Sequence, residues 1–453
     1  MITKHMIRTL MIETPTVPGN LGKVATAIGV MGGDIGEVET VKVLPNYTMR
    51  NITVQAENEE QLQEIIQAIE ALGEGIRLHT VSDEVLSAHE GGKIQMKSKM
   101  PIRTLAELGR VYTPGVADVC RLIENEPEKA SIYTTISNSV AIVTDGTAIL
   151  GLGNIGSVAG MPVMEGKAAL FDQLAGISGI PILLDTSDPE EIIRTVKHIS
   201  PGFSGILLED IGSPHCFDIE DRLKEELDIP VMHDDQHGTA VVTLAAAISA
   251  CKSAGLDLKE AKVGQIGLGA AGVAICRMFM AYGVKAVCGT DKSEDAMNRL
   301  AQYGGQPLGS IKDLMDKCDI VISTTGVPGL IKKEDVRKGH VILALSNPKP
   351  EIEPEEALQA GAAYAADGRS VNNVLGFPGI FRGALNAKSK KIDHEMLVAA
   401  AEAIASCTKH GDLVPQPLDA DVHQAVSAAV ERPRQENKQL LQYRTCAGAV
   451  FLS

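Results

Sequence analysis

Apolar and polar positions alternate in short amphipathic runs over residues 1–86. Ile7 to Glu13 reads as a strand. Pro18 to Gly22 forms a turn from which Asn20 can cap a helix over Leu21 to Met31, and Gly32-Gly33 ends it. Two strand-like runs follow, Ile35 to Leu44 and Tyr47 to Ala56, joined by a Pro-Asn turn. Glu59 to Leu72 sets Leu62, Ile65, Ile66 and Ile69 on one helical face, and Ile76 to Val81 completes a β-α-β-β-α-β order. That order is the split βαβ plan, a ferredoxin-like α+β module. A polar linker with Gly91-Gly92, Lys93, Lys97 and Lys99 is expected from about 83 to 100.

The pattern then changes. Short, almost wholly apolar runs recur at Ser139 to Thr144, Ile180 to Leu184, Gly205 to Leu208 and Ile229 to His233, with helical stretches between them. Runs of that kind are strands buried on both faces, and βα alternation makes the sheet parallel. This second domain is expected over 93–236. A long apolar helix from His237 to about Ser253 leads into a third domain, 237–385. There Lys262 to Ile266, Val284 to Cys288, Asp319 to Ser323 and His340 to Leu345 repeat the alternation. Ala-rich helices follow Asn372, and 386–432 are expected to rejoin the second domain. The expected fold class is therefore α/β: a ferredoxin-like module, a parallel α/β substrate and metal domain, and a Rossmann-type dinucleotide domain. The tail, Arg434 to Ser453, carries no functional signal.

Composition narrows the function. The 453 residues are 44% hydrophobic and 22% charged, as in ordinary globular proteins. A net charge of −16 with no basic stripe, no Trp and 3% aromatics argues against a nucleic-acid partner. No apolar run reaches membrane-spanning length, and Met1 to Leu10 has no signal-peptide core, so a cytoplasmic protein is expected. The eight Cys show no C-x-x-C pairing and read as reduced, mostly buried side chains.

Two of the expected strands end in paired acids, Glu209-Asp210 and Asp234-Asp235. Ligands of open α/β sheets bind beyond the carboxyl ends of the strands. Four acids delivered there repel one another unless a cation sits among them, and hard divalent cations take carboxylate oxygens. Either pair could alternatively cap the helix that follows it.

G-x-G-x-x-G occurs twice, at Gly151-Gly153-Gly156 and at Gly267-Gly269-Gly272. A dinucleotide loop needs a strand before it, a helix after it and an acid at the end of the next strand. The second loop, Gly267, Gly269, Ala270, Ala271 and Gly272, has all three, with Asp291 lying 24 positions after Gly267. A carboxylate there favours NAD over NADP, because it repels a 2′-phosphate. Lys292 beside it partly offsets that preference. After the first loop, Pro162 and Gly166 are expected to interrupt any helix, so that loop reads as a glycine-rich turn near the substrate.

Lys167 stands in an otherwise apolar stretch. Desolvation would lower its pKa and make it a base; a structural pair with Glu165 is the alternative. Tyr112 could be an acid or a core phenol. Asn347, Asn372 and Asn373 sit at turns, where local turn chemistry explains them as well as ligand binding does.

Seven runs resemble the malic enzymes in their small bacterial form: Tyr112 to Ala117, Thr144 to Gly156, Met164 to Ala168, Leu208 to Ile211, His233 to Ala240, Ser346 to Pro348 and Asn372 to Leu385. They span about 95 to 425 in family order. The resemblance implies oxidation of malate with NAD(P) and decarboxylation to pyruvate and CO2 with Mg2+ or Mn2+, in a homodimer or higher homo-oligomer. By position it implies Glu209, Asp210 and Asp235 as metal ligands and Lys167 as the base, with Asp234 beside it. It implies Tyr112 as the acid that protonates enolpyruvate. Asn347 and Asn373, with Asn372 adjacent, would contact the substrate, and Asn347 the cofactor too. The larger malic enzymes carry an Arg after Thr-Asp-Gly, where this chain has Thr147 and Ala148. Residues 1–86 fall outside the family core and resemble ACT domains through Pro18 to Ala25 and Gly32 to Ile35. An ACT domain implies a small effector such as an amino acid, or subunit pairing.

Overall fold

The computed structural model describes residues 6–149, 151–347, 349–369, 371–409 and 411–432. The tail from Arg434, and Pro348 of the Ser-Asn-Pro run, lie outside the described residues. The chain divides into two compact units, with the boundary between Gln95 and Met96.

The first unit contains β1 (Met6–Pro15), α1 (Asn20–Val30), β2 (Asp34–Val43), β3 (Tyr47–Ala56), α2 (Glu59–Glu70), β4 (Arg77–Ser82) and α3 (Glu84–His89). Its sheet runs β2-β3-β1-β4, with every neighbouring pair antiparallel. Alternate strand residues, among them Leu10, Ile12, Ile52 and Val54, turn to one face. There they meet Val24 and Ile28 of α1 and Leu62, Ile65 and Ile69 of α2. Period two on the strands thus meets period 3.6 on the helices.

Two local expectations need correction. Asn20 does not cap α1: it is the first helical residue, and its amide donates to the Pro15 carbonyl at 3.1 Å. Left-handed Gly19, φ 95°, makes the turn instead. The expected linker is not wholly irregular either. α3 forms within it, capped by Asp83 and tied to β1 by Arg8–Asp83 at 2.8 Å.

The second unit opens with three short helices, α4 (Leu105–Val111), α5 (Val116–Asn125) and α6 (Ala130–Tyr133). None of them has a buried residue. A first parallel sheet follows, from β5 (Ser139–Thr144), α7 (Ser157–Ala175), β6 (Ser178–Leu183), α8 (Pro189–Ile199), β7 (Gly205–Leu208), α9 (His215–Glu226) and β8 (Val231–His233). Its order is β6-β5-β7-β8. α10 (Asp234–Ala254) leads through a connection over 255–261 to β9 (Lys262–Ile266), α11 (Ala270–Tyr282), β10 (Ala286–Thr290), α12 (Glu294–Gln302), β11 (Gln306–Pro307), α13 (Ile311–Lys317), β12 (Ile320–Ser323), β13 (Val341–Ala344), α14 (Pro354–Gln359) and β14 (Tyr364–Asp367). These strands make a second parallel sheet, β11-β10-β9-β12-β13-β14, doubly wound with its reversal between β9 and β12. α15 (Phe377–Asn386), α16 (His394–Cys407) and a helix over 420–432 close the unit.

The expected break at 236/237 falls within the first turn of α10. One apolar core runs from Val140 and Leu207 of the first sheet through Val241 and Leu244 of α10 to Val263 and Val341 of the second. Ala and Val on nearly every face let α10 be buried all round. The expected interruption at Pro162 is also absent. α7 continues through it for 19 residues, because a proline in the second turn removes one backbone bond from a helix whose other bonds remain. Among the described residues, no helix is long and apolar enough to cross a membrane.

Candidate active site

Leu208 and His233 are paired in register across parallel β7 and β8, so both acid pairs leave the same sheet edge side by side. Carboxylate oxygens of Glu209, Asp210 and Asp235 all lie within 4.8 Å of one another. Capping does not account for them. α10 follows His233 with no side-chain cap bond, and α9 follows Pro214 likewise. The Asp210 backbone is left-handed, φ 54°, a strained state for a residue with a Cβ. It is pinned from both sides: Asp210 N–H donates to Asp235 Oδ2 at 3.1 Å, and Ala148 N–H to the Asp210 carbonyl at 3.0 Å. Buried Glu209 Oε2 has no hydrogen-bond partner among the described residues. Hard oxygens converging at this spacing, one of them buried and unsatisfied, fit Mg2+ or Mn2+.

Lys167, on α7, reaches the same place. Its Nζ donates to Asp234 Oδ2, lies 3.0 Å from Glu209 Oε1, and sits 4.6 Å from the centroid of the Phe377 ring. The expected lowering of its pKa is overturned. Burial does push the ammonium down, but the negative charges of Asp234 and Glu209 outweigh it and hold Lys167 above the usual lysine range. Those two carboxylates, and not neighbouring Glu165, are the ion pairs that Lys167 makes among the described residues. Burial in turn raises the carboxyls of Glu209 and Asp234, against the opposing pull of Lys167.

Asn373, from the far end of the chain, donates to the Asp234 oxygen that Lys167 uses. Asp234 itself is fully buried. It rests against Gly238, where an added Cβ would stand 2.0 Å from Oδ1. Phe377 and Gly238 are site residues that residue-type reasoning missed. Both lie inside the family-like runs, which were the only signal for them.

The remaining expected residues are placed differently. Asn372 turns its side chain to cap the backbone, accepting from Val374 N–H at 3.0 Å. Asn347 donates to the Gly368 carbonyl at 3.1 Å at the end of β13. Tyr112 is no core phenol. It ends α4 with 66% of its surface exposed, and its hydroxyl has no hydrogen-bond partner among the described residues.

At the second glycine loop Gly267 adopts φ 87° and Gly272 packs so tightly that a Cβ would stand 1.9 Å from the Gly267 carbonyl oxygen. Gly269 faces open space, and Ala270 and Ala271 begin α11, which has no side-chain cap. Uncapped N–H groups beside an open glycine form a cradle for a pyrophosphate. Asp291 follows β10. One of its oxygens accepts from Leu268 N–H at 2.6 Å and the other from Ser293 N–H at 2.8 Å, which braces the loop and leaves further lone pairs for ribose hydroxyls. The first loop also has a strand before it and a helix after it, so only the acid separates the two. Gly146 closes on it, its would-be Cβ 2.3 Å from the Gly156 carbonyl carbon.

A doubly wound sheet with a braced glycine loop, joined through one helix to a second parallel sheet that ends in clustered carboxylates, defines a nucleotide-dependent oxidoreductase of the α/β class. Family models agree: "Malic enzyme, N-terminal domain" matches residues 91–224 and "Malic enzyme, NAD binding domain" 354–431, while "Shikimate / quinate 5-dehydrogenase" matches 249–367. The chain is 89% identical over 431 residues to NAD-dependent malic enzyme 1 of Bacillus subtilis, covering 95% of this chain and 98% of that one. It is 46% identical to the NAD-dependent malic enzyme of Geobacillus stearothermophilus, over 90% of each. The crystal structure of a malic enzyme from Pyrococcus horikoshii superposes with TM-score 0.74 at 40% identity, over 78% of this chain and 90% of that one. The chain belongs to the malic enzyme family.

Proposed function

We propose that this protein oxidises L-malate with NAD and decarboxylates the product to pyruvate and CO2, with Mg2+ or Mn2+ held by Glu209, Asp210 and Asp235. The observation that carries this reading is the burial of Lys167 between Asp234 and Glu209, at the rim of the carboxylate cluster. When bound, the cation supplies Lewis-acid polarisation of the substrate's C2 oxygen and NAD accepts the hydride. Lys167 passes an ammonium proton to Asp234 Oδ2 along the hydrogen bond between them and takes the C2 hydroxyl proton at Nζ in its place, a relay suited to a carboxyl that burial raises. Asn373 fixes the Asp234 carboxylate, and Phe377 covers the lysine against water. Loss of CO2 leaves enolpyruvate, whose C3 takes a proton from Tyr112. Asp291, bonded to the glycine loop, reads the adenosine ribose.

Purified protein given malate, NAD and Mn2+ is expected to yield NADH and pyruvate one to one. NADH with oxaloacetate as the end product would make it a simple dehydrogenase. A relative 44% identical, the bifunctional malic/malolactic enzyme of Bacillus subtilis, keeps a second outcome in view: lactate without net NADH. A degenerate sensor would give neither, and intact Lys167 and carboxylates argue against it.

Two readings complete the proposal. Tyr112 must reach substrate beside Lys167, yet it closes α4 in the group α4–α6, whose apolar residues Leu105, Leu108 and Ile132 are exposed with it. A second copy of the chain is the occupant that explains both facts, so the enzyme is a homodimer or larger. The first unit, with the split βαβ order and an exposed ten-residue edge strand β2, is read as an ACT-like module for subunit pairing or for a small effector. The proposed location is the cytoplasm.

A further inference from the structure

We propose that Glu220 is a positioning residue for the cation site: its carboxylate holds the segment His233 to His237 in place and so aims Asp234 and Asp235. The proposal rests on the reading of Glu209, Asp210 and Asp235 as cation ligands. Glu220 lies on α9, outside the family-like runs, and is 1% exposed. Its two oxygens accept four donors. Oε1 takes the His233 backbone N–H at 2.8 Å and lies 2.8 Å from Lys224 Nζ. Oε2 takes the Gln236 amide at 3.2 Å and His237 Nε2 at 2.9 Å.

Three of those donors belong to the five residues that contain both aspartates. The lashing continues onward. His233 Nε2 lies 3.2 Å from the Ile211 carbonyl, one residue beyond Asp210, and Asp210 N–H returns to Asp235. One buried anion therefore anchors both strand ends. Burial disfavours its charge, but His237 and Lys224 outweigh that and keep the carboxyl below the usual range.

The charge is needed for its geometry. A carboxylate offers acceptors on both oxygens; a glutamine offers them on one and turns two N–H donors toward the rest. In so buried a site, Glu220→Gln turns N–H groups toward the Gln236 amide and the His237 ring, which keep their bonds only if the amide flips and the ring changes tautomer. Lys224 loses its charged partner, and the hold on the segment that carries the aspartates weakens.

The test is Mn2+ binding by the full chain without malate or NAD, followed by the electron paramagnetic resonance of free Mn2+. NADH binding, read by its fluorescence, reports the cofactor side of the same molecule. Glu220→Gln is expected to bind Mn2+ about 10–100-fold more weakly, the usual effect of removing an outer-shell partner, with NADH affinity unchanged. A merely structural role would lower the melting temperature and leave Mn2+ affinity as it was. Should Glu220→Gln fail to fold, Gln236→Leu removes one of the three segment bonds and is expected to weaken Mn2+ binding by a smaller factor. A folded variant of either kind with unaltered Mn2+ affinity overturns the proposal. Absence of Mn2+ binding by the unsubstituted chain overturns the cation reading, and this proposal with it.

Discussion

Asn373 and Lys167 donate to one oxygen of one carboxylate, Oδ2 of Asp234, from positions 206 residues apart in the chain. The second oxygen of that carboxylate has no hydrogen-bond partner among the described residues and lies against Gly238. Lysine and asparagine therefore fix which face of Asp234 is committed. Asn373→Ala removes a bond to a charged group, worth about 1.5–3 kcal/mol. A fall in kcat of roughly ten- to hundredfold is expected, with NAD affinity intact. Unchanged turnover would make Asn373 a spectator.

Lys167→Ala should lower kcat by about two to four orders of magnitude, the usual worth of a positioned acid–base group. NADH binding should stay near normal, because the glycine loop belongs to the other sheet. Near-normal turnover would remove Lys167 from the mechanism.

Asp235→Ala and Asp234→Ala should fail differently although the residues are neighbours. The first takes away one cluster oxygen and the partner of the strained Asp210 N–H. Its Mn2+ requirement should rise steeply, and excess metal should restore part of the rate. The second leaves Lys167 without a hydrogen-bond acceptor at Oδ2, so turnover should stay low at saturating Mn2+. Identical metal titrations for the two would show that the roles are not divided.

Asp291→Ala releases the Leu268 N–H and removes the charge that disfavours a 2′-phosphate. KM for NAD should rise by about tenfold, which is about 1.4 kcal/mol, and the preference for NAD over NADP should narrow. Steady-state kinetics with both cofactors decide it. An unchanged ratio would assign Asp291 to loop bracing alone.

Mixing two inactive variants tests the assembly. If Tyr112 of one copy serves Lys167 of another, Tyr112→Phe and Lys167→Ala refolded together should recover activity, since some mixed pairs carry one intact site. Mixtures as inactive as their components would mean that Tyr112 closes onto its own chain.

A chain beginning at Lys93 should fold and oxidise malate, because the chain divides into its two compact units between Gln95 and Met96, and a start at Lys93 keeps the second whole. Its solution mass, and its response to amino acids and dicarboxylates, are expected to differ from those of the full chain. A soluble but inactive product would show that the first unit completes the site.

What could be read from residues alone was whatever is local. Period-two and period-3.6 patterns identified the strands of the first unit, and acids at the ends of apolar runs pointed to Glu209, Asp210 and Asp235. The charge state of Lys167 was not legible. Its own stretch is apolar, and the carboxylates that decide the matter come from β7 and the start of α10. Glu220 escaped for the same reason: on α9 it looks like one more helical acid, and its burial depends on donors 13 to 17 positions away. Pro162 misled because a proline ends a helix only when the lost bond is not outweighed by the packing of the rest. Tyr112 carried a family-like motif but no local sign that its helix would lack a packing surface.

α10 is a single rod with the aspartates at one end and the nucleotide sheet around the other. Twenty-one helical residues make a lever about 31 Å long. A tilt of about 5° at the cofactor end, small beside known hinge motions, sweeps its first turn through roughly 3 Å, more than a cation–oxygen bond length. A shift of that size at Asp235 would change its distance to Glu209, so packing along α10 ties the nucleotide sheet to the carboxylate cluster.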